Sequence, residues 1–278
     1  MNKTCEWKCE MSAKKTYNSD LQYPELSYAI IGAAFDVHNE LGPGWNEWDY
    51  HRAILSVLEK KGIKAESHLR KKLIHRDEPV DQFELDILVE NKIILELKHI
   101  RSGFLSPHYI QIISYLKRWE KSLGILINFG LEKLCYKRVP YTPEKGGISF
   151  SGFWNDFKEQ QPERAEEIHL SAKNILELQG LGYGADSFKK ILFRELAYQN
   201  LKPKIPVVAP RFKDLSFESR SLDCILLGKD VLISTTAFKD TTATELARLR
   251  SGMKQTSCPF GVLINFGKSK LTLRGVLL

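Results

Sequence analysis

The sequence predicts an α/β fold class, in which two tandem copies of one sandwich domain each form a mixed β-sheet flanked by helices. Two observations predict it. Short motifs recur in the same order in both halves of the 278-residue chain. Within the first half, apolar residues change from helical spacing to strand-like runs in the order ααβββαββ, which is typical of a sheet covered by helices.

The internal repeat rests on three matches. LINFG occurs at residues 126–130 and 263–267, an offset of 137, and the same offset aligns LDILVENKIIL (85–95) with LDCILLGKDVL (222–232). Upstream, LGPG (41–44) matches LGYG (181–184) at an offset of 140. Three matches in one order indicate a duplication. We expect a mobile leader at residues 1–20, domains at 21–140 and 160–278, and a Pro- and Gly-rich linker at 141–159.

The elements of the first copy follow from spacing and end signals. Helical spacing predicts a helix over residues 26–41, which ends at Gly42-Pro43-Gly44, and a second over residues 46–61, closed by Gly62. Strands are predicted at residues 64–75, 82–89, 93–99, 123–129 and 134–139. Between the third and fourth strands, Ser106 is expected to cap a helix with Pro107 at its first position, running to about residue 121.

Composition limits the function classes. The net charge of +7 and the pI of about 9.0 suit a polyanionic partner without requiring one. No apolar run approaches the roughly 20 residues of a membrane span, so no membrane association is expected. The five cysteines lack regular spacing, which favours a reducing compartment and a cytoplasmic protein. Cys5 and Cys9 alone are too few ligands for a metal cluster.

One group of residues points to chemistry: Asp86, Glu96 and Lys98. On a strand, alternate side chains share a face, so Glu96 and Lys98 point the same way. If the turn over residues 90–92 has three residues and pairs Val89 with Ile93, Asp86 lies opposite Glu96. A two-residue turn would place the two carboxylates on opposite faces. The same three side chains could also form a salt bridge on a solvated strand face.

Two carboxylates among apolar strand residues are costly unless a cation binds them. Oxygen ligands without His or Cys favour Mg²⁺ or Mn²⁺, and the carbonyl of Leu97 is a further available oxygen. Beside such a metal, Lys98 can orient or deprotonate an attacking water and can neutralise phosphate charge. The pattern therefore predicts a metal site at Asp86 and Glu96.

A resemblance extends this hypothesis. GWNEWDY (44–50) fits Gly-x-x-Glu-x-x-Tyr, and with DVHNELGPG, FELDILVENKIILELKHI and QIISYL it resembles the GxxExxY family of the PD-(D/E)XK nuclease superfamily over nearly all of residues 25–139. The resemblance implies that Asp86 and Glu96 bind the metal, that Lys98 is catalytic and that Glu47 adds a carboxylate in or beside the metal site.

The resemblance also implies that Gln111 and Tyr115 form the Gln-x-x-x-Tyr element of RecB-type nucleases, which faces the substrate. Residues three or four apart share a helix face, so Glu47 and Tyr50 form one pair and Gln111 and Tyr115 another. Tyr50 is a candidate nucleic-acid contact, with core packing an equal alternative. His38 could approach the site, although a structural role is the more common one for such a histidine.

The second copy does not keep this chemistry. At the offset of 137, Asp86 corresponds to Asp223, but Glu96 becomes Ile233 and Lys98 becomes Thr235. Gln111 and Tyr115 become Arg248 and Gly252, and at the offset of 140 Glu47 and Tyr50 become Ser187 and Lys190. One carboxylate cannot hold a catalytic cation, so the second copy is predicted to be a pseudo-nuclease. Its candidate phosphate contacts, or else ordinary solvated helix faces, are Lys189, Lys190, Arg194, Arg248 and Arg250.

Together these features predict a Mg²⁺-dependent nuclease that hydrolyses phosphodiester bonds, of DNA more than RNA, with metal-activated water. The second copy would replace the second subunit of an ancestral homodimer, so the chain would be a pseudo-dimer that stays a monomer or a weak dimer. The alternative is a non-catalytic scaffold, in which two nuclease-like folds bind nucleic acid or a partner protein.

Overall fold

The structure is a computed structural model that describes residues 22–144, 146–237 and 241–278. The predicted leader at residues 1–20, with Cys5 and Cys9, lies outside these ranges. In the described part of the chain, no helix is both long and apolar enough to cross a membrane.

The first copy has the predicted order ααβββαββ. Its elements are α1 (Pro24–Leu41), α2 (Glu47–Lys60), β1 (Ala65–His75), β2 (Glu78–Val89), β3 (Ile93–Lys98), α3 (Ser106–Trp119), β4 (Leu123–Asn128) and β5 (Cys135–Pro140). The strands form one sheet in the order β1-β2-β3-β4-β5, in which β3 and β4 are parallel and the other neighbours antiparallel.

The second copy repeats this plan with an additional edge strand. Its elements are β6 (Ile148–Gly152), α4 (Trp154–Gln160), α5 (Pro162–Gln179), α6 (Ala185–Tyr198), four two-residue strands, β11 (Ile225–Leu227), β12 (Val231–Thr236), α7 (Ala243–Thr256), β13 (Phe260–Phe266) and β14 (Leu271–Leu277). The four short strands are β7 (Val207–Val208), β8 (Arg211–Phe212), β9 (Leu215–Ser216) and β10 (Arg220–Ser221). The main sheet runs β11-β12-β13-β14-β6.

Each sheet is covered by helices on both faces. One cluster packs α1 and α2 against the first sheet, and a second packs α3 against its other face. The second copy repeats this with α5 and α6 on one face and α7 on the other. The predicted fold class, two tandem α/β sandwiches with mixed sheets, is confirmed.

Two local expectations are wrong. The segment 141–159, expected as a linker, forms β6 and most of α4 from residue 148 onward. There β6 pairs in parallel with β14, and Trp154 and Phe157 are buried in the second core. Ser106 does not cap α3, because it is already helical. Leu105 stands at the cap, and its backbone N–H donates to Nδ1 of His108 over 2.9 Å.

The structural equivalence of the two copies differs from the sequence offsets. Gly42 and Gly44 have φ of 67° and 114°, and Gly180 and Gly182, each 138 residues later, have φ of 61° and 109°. LGPG therefore corresponds to residues 179–182, and its match with residues 181–184 is a coincidence of glycine spacing.

The same offset of 138 holds through the β-hairpin of each copy. Ile87 pairs with Leu95 in the first copy, as Ile225 pairs with Ile233 in the second. The offset falls to 137 after the hairpin. Ile93 lies beside Leu123, and its equivalent Val231 lies beside Phe260, which is 137 residues after Leu123. One residue is thus missing from the second copy between its hairpin and its last two strands.

The two copies are held together by the long β1–β2 hairpin of the first. Leu73 from this hairpin is part of the hydrophobic core of the second copy, and Val80 and Phe83 pack against that core. At the hairpin tip, His75 Nε2 and Arg76 Nε donate to the buried carboxylate of Glu195 on α6, each over 2.8 Å. The hairpin therefore crosses from its own sheet onto α5 and α6 of the second copy.

A second contact joins α3 of the first copy to the loop between α5 and α6. Lys117 donates to the carbonyl of Leu181 over 2.6 Å, and its Nζ lies 4.0 Å from the centre of the Tyr183 ring. In both contacts the two copies contribute different elements. A two-fold homodimer would use the same patch on both sides, so the expected pseudo-dimer arrangement is replaced by a head-to-tail one.

Candidate metal and active site

The site is built at the end of the β2–β3 hairpin. Val89 pairs with Ile93, so the turn contains three residues, as the hypothesis required. The ladder ends at the Ile87–Leu95 pair, and beyond it Asp86 Oδ2 accepts the backbone N–H of Leu97 over 2.7 Å. The carboxylate of Asp86 therefore lies against the strand that carries Glu96.

Glu96 is completely buried, with 0% of its surface exposed. Its Oε1 accepts a hydrogen bond from Lys98 Nζ over 2.6 Å, whereas its Oε2 has no hydrogen-bond partner in the described structure. Burial and the nearby charge of Asp86 raise the pKa of Glu96 to about 8, and burial also raises the pKa of Asp86. Additional positive charge at this position would therefore stabilise the ionised pair.

Lys98 is partly buried, with 15% of its side chain exposed. Burial lowers the pKa of its ammonium group, but the adjacent Glu96 carboxylate outweighs this effect and raises the pKa above the usual value. Lys98 therefore places its ammonium group directly against the Glu96 carboxylate. The salt bridge considered as an alternative does form, but in a buried setting rather than on a solvated face.

Glu47 lies on α2, near these two carboxylates and Lys98. It is the first residue of α2, whose N-cap Asn46 accepts the backbone N–H of Asp49 over 2.9 Å. Its Oε2 lies 3.4 Å from Nδ1 of His99, and its charge contributes to the raised pKa values of Glu96 and Lys98. Glu47 is thus close enough to act electrostatically, with its carboxylate turned to His99.

The donor set is small. Within residues 22–144, 146–237 and 241–278, no three His, Cys, Asp or Glu side chains are arranged to enclose a metal ion. The closely placed carboxylates are Asp86 and Glu96, as the hairpin register predicts. A third protein ligand would have to be a backbone oxygen such as that of Leu97, or Glu47 after a change of side-chain rotamer.

Gln111 and Tyr115 lie on α3, on the other side of the site from α2. Gln111 Nε2 donates to the Tyr115 hydroxyl over 3.0 Å, and the Tyr115 ring packs edge-on against Phe83 at 6.1 Å. Burial raises the pKa of Tyr115, and the carboxylates of Glu96 and Asp86 add to this effect. The structure therefore brings the Gln111–Tyr115 pair into the electrostatic environment of the carboxylates.

Two of the candidate residues, Tyr50 and His38, have structural roles instead. Tyr50 is fully buried, stacks on Phe129 at 4.6 Å and donates to the carbonyl of Gly42 over 2.8 Å. Because no part of it reaches the surface, the expectation that Tyr50 contacts nucleic acid is wrong. It holds the loop that leads to Glu47. His38 is also buried, with Nε2 at 2.9 Å from the carbonyl of Leu131.

Two residues that the sequence did not single out, Asn128 and Gly130, fix the backbone next to the site. Asn128 is buried, and its side-chain amide both donates to and accepts from the backbone of Ile100, over 3.0 and 2.9 Å. A Cβ on Gly130 would come within 2.5 Å of the His99 carbonyl carbon, so only glycine fits there. Both residues belong to the repeated LINFG, and they hold the chain directly after Lys98.

His51, on α2, was also missed. It is buried, and its Nε2 lies 3.3 Å from the backbone carbonyl of Asp86. Burial lowers the pKa of His51. The sequence offers a signal for it only through its position four residues after Glu47, on the same helix face.

In the second copy the strand registers correct the expected counterparts. Glu96 lies beside Leu126, and Ser234 lies beside the matching Leu263, so Ser234 and not Ile233 replaces Glu96. By the same register Thr236 replaces Lys98, and Cys224 replaces Asp86.

Ser234 forms a hydrogen bond with the Cys224 thiol, as expected for residues that face each other across the hairpin. Asp223 is exposed and binds Lys189. The second copy therefore has no carboxylate at either of the two equivalent positions. The pseudo-nuclease interpretation stays a prediction, and it now rests on Ser234 and Cys224.

The helical site residues also have structural counterparts in the second copy. On α7, Arg248 and Gly252 stand where Gln111 and Tyr115 stand on α3, as the offset of 137 predicts. A Cβ on Gly252 would lie 2.9 Å from Leu232 Cδ2, so the space of the Tyr115 ring is filled by the core. On α6, Phe188 stacks on Phe266 as Tyr50 stacks on Phe129. Glu47 therefore corresponds to Ala185, rather than to Ser187.

The basic candidates of the second copy fall into two groups. Lys189 is paired with Asp223, Lys190 donates to Asp81 of the first copy over 2.7 Å, and Arg194 lies 3.8 Å from Glu78. These three therefore serve contacts within the chain, two of them between the copies. In contrast, Arg248 and Arg250 are exposed on α7, and the nearest carboxylate to Arg248 is Glu245, at 3.9 Å.

Comparisons with known proteins agree with the repeat. A family model for the PD-(D/E)XK nuclease superfamily matches residues 24–139 and again residues 162–276. The two matched segments begin 138 residues apart and end 137 apart, like the structural equivalences.

Among solved structures, one described as "Crystal structure of SSO0001" is 18% identical, with a TM-score of 0.28; the match covers 44% of this chain and 59% of that one. No curated protein shows significant sequence similarity to the chain.

Proposed function

The chain belongs to the PD-(D/E)XK nuclease superfamily, and from this premise we propose that its first copy is a metal-dependent nuclease of the GxxExxY type, which hydrolyses phosphodiester bonds in nucleic acid. The observation that carries the proposal is the carboxylate of Glu96. It is completely buried beside Asp86, and its Oε2 has no partner among the described residues. An unpaired buried carboxylate oxygen is costly unless a cation completes its environment.

The donor set fits such a cation. Nucleases of this superfamily typically use divalent metals, and oxygen ligands suit Mg²⁺ or Mn²⁺. Asp86 and Glu96 would hold the ion, with the Leu97 carbonyl as a further oxygen and Glu47 in or beside the site. When bound, the cation supplies Lewis-acid stabilisation of phosphate charge and lowers the pKa of a water molecule.

The remaining side chains have roles that follow from their positions. Lys98 holds its ammonium group against Oε1 of Glu96, so it is placed to neutralise phosphate charge and to orient the attacking water. His51 supports the backbone of Asp86 from the α2 side. From the α3 side, the hydrogen-bonded Gln111 and Tyr115 orient the substrate beside the carboxylates.

We propose DNA as the substrate, and assign the second copy to the support of the first. Leu73 and the Glu195 contacts fix the β1–β2 hairpin, and β2 carries Asp86 at its other end. The second copy therefore holds the strand that supplies a predicted metal ligand. Its exposed α7 arginines would add phosphate contacts.

Cleavage of labelled DNA and RNA by the purified protein tests this proposal. With Mg²⁺ the wild-type chain should cut DNA, and EDTA should stop the reaction. Glu96→Gln keeps the side-chain shape but removes the charge, and should slow cleavage by at least about 100-fold. Cleavage that persists in EDTA, or in Glu96→Gln, would contradict a metal-dependent site at this position.

A further inference from the structure

The surface next to the candidate metal site carries an exposed tryptophan. Trp48 lies in the first turn of α2, directly after Glu47, and 55% of its surface is exposed. Tryptophan is an expensive residue to leave in water, because its indole buries more apolar area than most other side chains can. An exposed indole beside a site for a polyanionic substrate is therefore a candidate contact for that substrate.

Two histidine rings, His51 and His68, lie against this indole. Trp48 stacks on His51 with the rings 9° from parallel and their centres 5.4 Å apart. His51 in turn lies against the backbone of Asp86, with Nε2 at 3.3 Å from its carbonyl. The buried His51 thus supports the indole and connects it to the candidate metal site. The His68 ring lies 5.6 Å from the indole at an angle of 31°, and 55% of the Trp48 surface remains exposed.

A cation accompanies the exposed ring. Arg52 is exposed and lies one helical turn after Trp48, so both side chains are on the same face of α2. It forms no ion pair with any residue in the described ranges. An indole face next to a free guanidinium is the combination with which proteins bind single strands: the base stacks on the ring and the phosphate pairs with the cation.

The second copy provides an internal comparison. At the structural offset of 138, Asp186 stands in the place of Trp48, and its carboxyl group is exposed beside Lys189. Lys189 stands in the place of His51 and is paired with Asp223. The copy without the two carboxylates thus also lacks the indole and its supporting ring.

From these contacts we propose that Trp48, supported by His51 and flanked by Arg52, is a stacking platform for an unpaired base, and that the substrate enters the site as single-stranded nucleic acid. The proposal rests on the proposed nuclease function of the first copy. In a duplex both faces of each base are covered by its neighbours, so only an unpaired base offers a face to the indole.

Binding in EDTA tests this proposal separately from cleavage. Fluorescence anisotropy would follow a fluorescein-labelled oligothymidylate and a labelled duplex of the same length. Trp48→Ala should weaken binding of the single strand about 10-fold, which is in the range measured for loss of one stacked base. Trp48→Phe, which keeps a ring, should retain most of the affinity, and duplex binding should change by less than about 2-fold.

Tyr28→Ala is the matched control. Tyr28 is also an exposed aromatic, but it lies near the start of α1, about 20 Å along the helix from the end that leads to Trp48. This variant should bind like the wild type. Single-strand affinity that is unchanged in Trp48→Ala, or a loss equal for single strand and duplex, would overturn the proposal. Because no metal is present, a failure of the nuclease function would appear only in the cleavage assay.

Discussion

Nζ of Lys98 lies 2.6 Å from Oε1 of Glu96, and the second oxygen of the same carboxylate has no partner in the described structure. In the second copy Thr236 and Ser234 occupy these two positions, so neither charge remains. The two copies therefore share a fold, but only the first has a buried carboxylate pair with a lysine against it.

Substitutions in the two copies should affect cleavage unequally. Asp86→Asn removes one of the two carboxylate charges and should slow DNA cleavage by at least about 100-fold. Asp223→Asn and Ser234→Ala change exposed or neutral positions of the second copy and should leave the rate within about 2-fold. Rates measured with one labelled DNA compare the three variants directly. A large loss of activity in folded Asp223→Asn would mean that the second copy takes part in the active site.

A single active site should cut one strand in each encounter. We therefore expect negatively supercoiled plasmid, in which duplex opening exposes unpaired bases, to become nicked circles before any linear DNA appears, since a second cut needs a second encounter. Gel electrophoresis of a time course at low enzyme concentration measures the order of the products. Linear DNA that forms without a nicked intermediate would show that two chains act together.

The exposed arginines of α7 should contribute through charge alone. Reversing Arg248 and Arg250 to Glu should weaken DNA binding and reduce the slope of log affinity against log salt by about one unit for each phosphate that the variant no longer binds. A salt titration of DNA affinity measures both effects. Lys173→Glu, which reverses an exposed charge on α5, is a matched control. An unchanged salt slope would remove α7 from the binding surface.

Glu195 should determine how firmly the copies are joined. Burial raises its pKa, but hydrogen bonds from Arg76, Asn174, Gln199 and His75 outweigh this effect and lower the pKa to about 2. Glu195→Gln leaves Arg76 without a charged partner. It should lower the free energy of unfolding by about 3 kcal/mol at pH 7, in the range for a broken buried pair. Urea unfolding measures this value.

The pH dependence of this effect has a defined sign. Because the folded pKa of Glu195 is depressed, its contribution is fully present above the ordinary pKa of about 4.5 and is lost as the pH falls from there towards 2. The difference between the wild type and Glu195→Gln should therefore shrink on acidification. Glu177→Gln, an exposed residue 3.9 Å from Lys173, should change stability by less than about 1 kcal/mol at any pH. A difference that grew on acidification would contradict the assignment.

Much of the first copy could be predicted from local patterns. Helical spacing ending at Gly42 gave α1 within two residues at its start, and the apolar run after Lys92 gave β3 within one at its end. The three-residue turn that brings Asp86 opposite Glu96 was required by the hypothesis and is confirmed. These features depend on neighbours in sequence, which is why the sequence alone was sufficient.

Features that depend on the other copy could not be predicted. Leu73 alternates as an ordinary strand residue, yet it packs in the core of the second copy. Lys190 and Arg194 resembled free basic residues because Asp81 and Glu78, which face them, lie more than 100 positions away. The sequence left two roles open for Tyr50, nucleic-acid contact and core packing, because only its burial against Phe129 decides between them.

The equivalence of the copies was misjudged for a different reason. A constant offset of 137 assumes that neither copy has a gap. One residue is missing from the second copy after the hairpin, so every counterpart up to the end of the hairpin lies one residue later than this offset predicts. On a strand such a shift exchanges the two faces. Ile233, taken as the counterpart of Glu96, points into the core with α5 and α6, whereas Ser234 faces the Cys224 thiol.

Metal binding tests the division between the copies most directly. Isothermal titration of the purified chain with Mn²⁺ should show binding confined to the first copy, lost in Glu96→Ala and unchanged in Ser234→Ala, because the second copy offers no carboxylate at either equivalent position. Binding that persists undiminished in Glu96→Ala, or that is lost in Ser234→Ala, would contradict the assignment of the metal site to Asp86 and Glu96.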